Sequence, residues 1–109
     1  METLLVLTNL PDLASANVMA AQLSERRLAA CVNVLSPCQS VYRWQGKVEQ
    51  AVEIPLAIKT TRPRYAEVES AIRELHPDEV PEIIAIPVTA GLPAYLQWIE
   101  QECAAPSEC

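Results

Sequence analysis

After the Gln45-Gly46 pair the chain alternates with a two-residue period that no helix satisfies. Val48, Val52, Ile54, Leu56 and Ile58 share one parity, while Glu49, Glu53 and Lys59 take the other. Such a pattern predicts one long strand, and a long strand requires partners in a sheet. Gln45-Gly46 predicts the turn of a hairpin whose other arm runs from Ser40 to Trp44. Pro55 has no amide hydrogen to give to a ladder, which predicts a bulge or a locally unpaired stretch there.

The flanking segments complete the order. Thr3 to Thr8 reads as a strand closed by Asn9-Leu10-Pro11, and Asp12 caps a helix that runs to about Arg27 with Leu13, Ala16, Ala20 and Leu23 at helical spacing. Cys31 to Leu35 is strand-like and breaks at Ser36-Pro37 before the hairpin. From Pro63 a second helix places Tyr65, Val68, Ile72 and Leu75 on one face and stops at His76-Pro77. Glu82 to Thr89 is a fourth strand, and Ala94 to about Cys103 a final short helix, with residues 103–109 expected to fray. The expected fold is therefore one α+β domain over 1–109, a ferredoxin-like β-α-β-β-α-β sandwich with a long hairpin formed by its second and third strands and an added C-terminal helix.

Right-handed crossovers place both main helices on one face of such a sheet, so the other face should be polar. It is not, because Leu4, Leu5, Val6 and Leu7 in the first strand and Ile83, Ile84, Ala85 and Ile86 in the fourth put apolar groups on both faces. Self-association is the simplest cover for a second apolar face; strong strand formers tolerated at the surface are the alternative.

Charge and composition remove several function classes. A formal charge of -6 repels phosphate backbones and anionic headgroups, so neither nucleic acid nor membrane is an expected partner. Two glycines, Gly46 and Gly91, cannot build a phosphate-wrapping loop, and no organic cofactor is implied. Four cysteines without a Cys-x-x-Cys pair read as thiols, and the absence of a signal-like or spanning segment makes the cytoplasm the expected address.

Several strings then become specific: Leu28-Ala29-Ala30-Cys31-Val32-Asn33, Tyr42-Arg43-Trp44-Gln45-Gly46-Lys47, Ile58-Lys59-Thr60, His76-Pro77-Asp78-Glu79-Val80-Pro81-Glu82-Ile83 and Pro93-Ala94-Tyr95-Leu96-Gln97-Trp98. In this order and spacing, from about residue 3 to 102, they resemble the CutA divalent-cation tolerance family. The resemblance implies a homotrimer whose hairpin reaches across to a neighbour, with roles in copper binding and metal tolerance. Where some members offer a cysteine and a second histidine, Thr8 and Leu75 stand here.

The candidate chemistry has plainer readings beside it. His76, the only histidine, with Asp78, Glu79 and Glu82, could hold copper or another divalent cation, or the ring could simply cap a helix end. Cys31 is a soft cuprous ligand or a buried small thiol. Tyr42, Trp44, Lys47, Lys59 and Tyr95 come from strings that resemble the family's interface pocket for a small anionic ligand, or serve interface packing. No serine stands beside a histidine, so an enzyme is not expected; a PII-like trimeric signalling module is the alternative to the metal-binding, non-enzymatic reading.

Overall fold

The long strand forms as its parity requires. A computed structural model describes residues 2–104, with strands β1 (Thr3–Leu10), β2 (Cys31–Val34), β3 (Cys38–Trp44), β4 (Lys47–Thr61) and β5 (Ile84–Pro87), and helices α1 (Leu13–Glu25), α2 (Tyr65–Leu75) and α3 (Pro93–Glu102). The sheet order is β2-β4-β1-β5, with β3 also paired to β4, and each pairing is antiparallel. This is the expected α+β, ferredoxin-like arrangement with its extra C-terminal helix.

Register explains the core. Leu4, Val6, Thr8 and Leu10 of β1 pair with Thr60, Ile58, Leu56 and Ile54 of β4, so the even residues of both strands share one face. They are buried in one cluster with Ala16, Met19 and Leu23 of α1 and Val68, Ala71 and Ile72 of α2. Each large aliphatic side chain removed from water there contributes about 1.5–3 kcal/mol. Val48 and Val52 share that parity yet are exposed, because they lie on the β3–β4 arm beyond the core.

The expected irregularity at Pro55 falls on its partner strand instead. β1 runs past Pro55 without a slip, from Thr3↔Thr61 to Leu10↔Ile54. The Leu35 amide donates to the Pro55 carbonyl at 2.9 Å, so the proline's missing donor faces the β2–β3 edge. Pairing shifts from Val34↔Leu56 to Cys38↔Glu53, which puts one extra residue in the β2–β3 side, where the chain breaks at Ser36-Pro37.

Several ends differ from expectation: β1 runs past Thr8 to Leu10, α2 starts at Tyr65 after a short turn over Arg62–Arg64, and β5 covers only Ile84–Pro87 of the expected Glu82 to Thr89. α1 stops at Glu25, short of Arg27, because Arg27 takes φ 58, a left-handed cap that turns the Leu28 and Ala29 amides back onto the Leu23 carbonyl. Fraying from residue 103 is not found at Cys103, which is buried, donates its amide to the Ile99 carbonyl and accepts Arg64 Nε at 2.8 Å on its own carbonyl. Cys109 and the rest of 105–109 lie outside the described residues.

The far face of the sheet is the one the two-sided strands anticipate. Leu5 and Leu7 pair with Ile86 and Ile84, which are 44% and 49% exposed. α3 packs against β1 and β4 and buries Ile99, but leaves this patch open.

Candidate functional site

β3 and β4 close at Gln45-Gly46, where φ values of 50 and 80 give a two-residue turn whose twist matches the arms. Alternation then sorts the side chains of this arm. Tyr42 and Trp44 stand on one face with Glu49 and Glu53, since Tyr42 pairs with Glu49 and Cys38 with Glu53. That face is one wall of an open groove of about 790 Å³; Pro77, Asp78, Glu79, Val80 and Glu82 from the segment after α2 form the other, and Asn9 at the end of β1 lies between them.

His76 holds the second wall in place. It ends α2 with ψ 136, and its amide still reaches the Ile72 carbonyl at 2.8 Å. Its buried ring lies 2.6 Å from the Asn9 carbonyl through Nε2, and the Asp78 amide donates to Nδ1 at 3.0 Å. A carbonyl only accepts and an amide only donates, so Nε2 carries the proton and Nδ1 does not. The Asn9 side chain adds a bond from Nδ2 to Glu82 at 3.3 Å.

That geometry bears on the metal candidates. Both ring nitrogens of His76 are engaged by the chain's own backbone, and Asp78 Oδ2 stands 4.0 Å from Nδ1. Asp78, Glu79 and Glu82 line the groove, while Cys31 lies away from it on β2, paired with Lys59. Among the described residues no three His, Cys, Asp or Glu side chains stand together as a metal ion would need. Within one chain these residues do not fit a copper centre.

The expected aromatic and cationic pocket is divided in the same way. Tyr42 and Trp44 line the groove, and Lys47 sits exposed at the tip of the arm. Lys59 donates to the Tyr95 hydroxyl at 3.1 Å and lies 5.4 Å from its ring centre, and the Trp98 ring, tilted 31° to that of Tyr95, has its centre 5.6 Å away. The bond to Tyr95 is the main cause that holds the Lys59 ammonium above its ordinary pKa, against a smaller opposing effect of burial. Sequence reasoning missed Asn9 and Glu53 as groove residues; the odd parity of Glu53 was the available signal for one, and Asn9 had none.

An antiparallel sheet with two helices on one face, an open apolar face and a projecting hairpin defines this chain as a small α+β domain of the ferredoxin-like class. The CutA1 divalent ion tolerance protein family model matches residues 4–102, and the chain belongs to that family. It is 41% identical to the divalent-cation tolerance protein CutA of Thermus thermophilus over 88% of this chain and 93% of that one. A solved structure of the divalent cation tolerance protein from Thermus thermophilus superposes with TM-score 0.92 at 38% identity, covering 94% of this chain and 99% of that one. CutA from Xylella fastidiosa gives 0.92 at 42%, covering 95% and 100%. A protein from Archaeoglobus fulgidus, described as a periplasmic divalent cation tolerance protein, gives 0.90 at 35%, covering 94% and 99%. Among the described residues of this chain, no helix is long and apolar enough to cross a membrane.

Proposed function

We propose that this chain works in divalent-cation tolerance as a non-enzymatic homo-oligomer, a trimer as its resemblance implies, with its cation and small-ligand sites completed between copies. The open sheet face carries this reading. Leu5, Leu7, Ile84 and Ile86 stand together there by register, and monomers rarely leave a contiguous apolar patch uncovered. Lys59 and Tyr95 give the boundary of that face a cationic and aromatic rim suited to a small anion. Asp78, Glu79, Glu82 and Cys31 are the donors proposed for copper or another divalent cation, contributed by more than one copy. The free thiols of Cys31, Cys38 and Cys103 support a reducing compartment such as the cytoplasm.

Sedimentation equilibrium tests the assembly, with a mass of three chains expected and a monomer at all concentrations sinking the reading. Copper titration of the intact oligomer, wild type against Cys31→Ser and against Asp78→Asn with Glu82→Gln, tests the donors. Weaker binding in the variants is expected; identical isotherms would remove these residues from the site.

A further inference from the structure

Two free thiols of the sheet stand opposite charges of different sign. Cys31 pairs with Lys59 across β2 and β4, and Cys38 pairs with Glu53 across β3 and β4. Both thiols are half-buried, so each sulfur keeps a way to solvent. Directly opposed residues of an antiparallel ladder hold their Cβ atoms about 4.5–5.5 Å apart on one face, which makes the charge in each pair the sulfur's immediate neighbour. The electrostatics of Lys59 agree. Its bond to Tyr95 is the largest cause of its raised pKa, and Cys31 is a smaller one acting in the same direction.

The surroundings of the two sulfurs differ in kind. The Ala30 amide donates to the Lys59 carbonyl at 2.9 Å and fixes the start of β2 against β4. Lys59 gives one N–H to the Tyr95 hydroxyl at 3.1 Å and keeps two, while the phenol, accepting that bond, keeps its own proton to donate. An ammonium and a phenol side by side form a receptor for a carboxylate, flanked by the Tyr95 and Trp98 rings, which are each 39% exposed. At Cys38 the chemistry is reversed. Its sulfur lies 3.9 Å from the Ser40 hydroxyl, and the Glu53 paired with it belongs to a groove lined by four carboxylates and no basic side chain.

We infer that Cys31 is a site of reversible thiol–disulfide exchange with small anionic disulfides, whose carboxylate Lys59 and Tyr95 hold beside the sulfur. The inference rests on the reading of Lys59 and Tyr95 as a rim for a small anion and gives that rim a reaction. The Cys31 sulfur attacks one sulfur of the held disulfide, so that a new S–S bond to the protein forms as the ligand's own S–S bond breaks. The Cys31 proton passes to water and the departing thiolate takes one back, leaving one half of the ligand attached and the other free as a thiol. The Cys31 sulfur is oxidised and the leaving sulfur reduced, so no further oxidant enters, and an external thiol runs the exchange backwards.

The test incubates the full chain, in chelator, with glutathione disulfide as the anionic probe or cystamine as the cationic one, and follows the adduct at each cysteine by mass spectrometry of its peptides. A net charge of -6 favours the cationic probe at every thiol, so the quantity compared is each site's own ratio of anionic to cationic rate. The ratio at Cys31 should exceed that at Cys38 by about tenfold or more at low salt and converge on it at high salt. Lys59→Gln should bring the Cys31 ratio down to that of Cys38, and Lys59→Arg should preserve it. Equal ratios at the two sites, no adduct at Cys31 with either probe, or a ratio that Lys59→Gln leaves unchanged overturns the inference. Should Lys59→Gln lose its circular dichroism spectrum, the two-site comparison in the wild type and its salt dependence decide. Calorimetry with S-methylglutathione, which keeps the carboxylates but has no sulfur to exchange, separates the two readings. Lys59-dependent binding without an adduct at Cys31 removes the exchange and leaves the anion rim standing, whereas no binding together with equal ratios removes both.

Discussion

Thr8 offers the most direct test of the packing. It pairs with Leu56, its side chain faces the helices, and it is fully buried. Its Oγ1 has no hydrogen-bond partner among the described residues. A buried hydroxyl left unpaired costs about 1–3 kcal/mol, whereas a methyl group of the same shape belongs in an aliphatic core. Thr8→Val replaces one with the other at nearly constant shape, so stabilisation of about 1–2 kcal/mol is expected. With a urea slope of about 2 kcal/mol/M for a chain of this size, the midpoint rises by about 0.5–1 M. Urea titration followed by far-ultraviolet circular dichroism measures it, at one protein concentration because assembly shifts apparent stability. An equal or lower midpoint would refute the reasoning, since it would mean that the hydroxyl is satisfied in solution.

Three further outcomes follow from single contacts. His76→Ala removes the bonds to the Asn9 carbonyl and from the Asp78 amide and should cost about 2–3 kcal/mol in urea, while the copper isotherm of the remaining oligomer stays unchanged; weaker copper binding would return the ring to the metal site. Gly46→Ala meets no atom within 4 Å, but its φ of 80 is unfavourable for a side chain; a loss of about 1 kcal/mol and faster amide exchange confined to the arm are expected, and unchanged exchange would contradict the turn geometry. Burial pushes the Cys103 thiol above its ordinary pKa, so the neutral form is favoured in the fold. The associated stability is present below the unfolded thiol pKa and is lost as pH rises through the folded value. Cys103→Ala should flatten that alkaline decline, and iodoacetamide should label Cys38 before Cys103.

What could be read from the sequence was what the pleat or the helical turn repeats locally. The parity from Val48 to Ile58 was legible because successive side chains in a strand must alternate, and the Asp12 cap because its carboxylate meets the Ser15 amide three residues on. The end of α1 was not legible: Arg27 occupies the left-handed position that a glycine would have advertised. Pro55 was correctly read as lacking a donor, yet the consequence appears across the ladder, since β1 holds β4 straight and the β2–β3 side absorbs the mismatch. The candidate site was legible only in pieces. His76 was placed at a helix end, but its ring partner, Asn9, is 67 positions away in sequence and is brought to it by the β1 end of the sheet.

One strand ties the stable part of the molecule to the part that reaches outward. From Ile54 to Thr60 the even residues of β4 are buried against two helices, and the same parity continues through Val52 to Val48, where no helix follows. A chain that functioned alone would gain solubility and lose nothing in its core by carrying polar residues at those outer positions. Glu49 and Glu53 stand at odd positions on the groove side, and among the outer even positions only Gln50 is polar, between Val48 and Val52, where it accepts a bond from Gln39 at 2.7 Å. Val48 and Val52 therefore keep the parity of the core past the helices that explain it, while Gln50 between them already takes the polar character of an exposed arm.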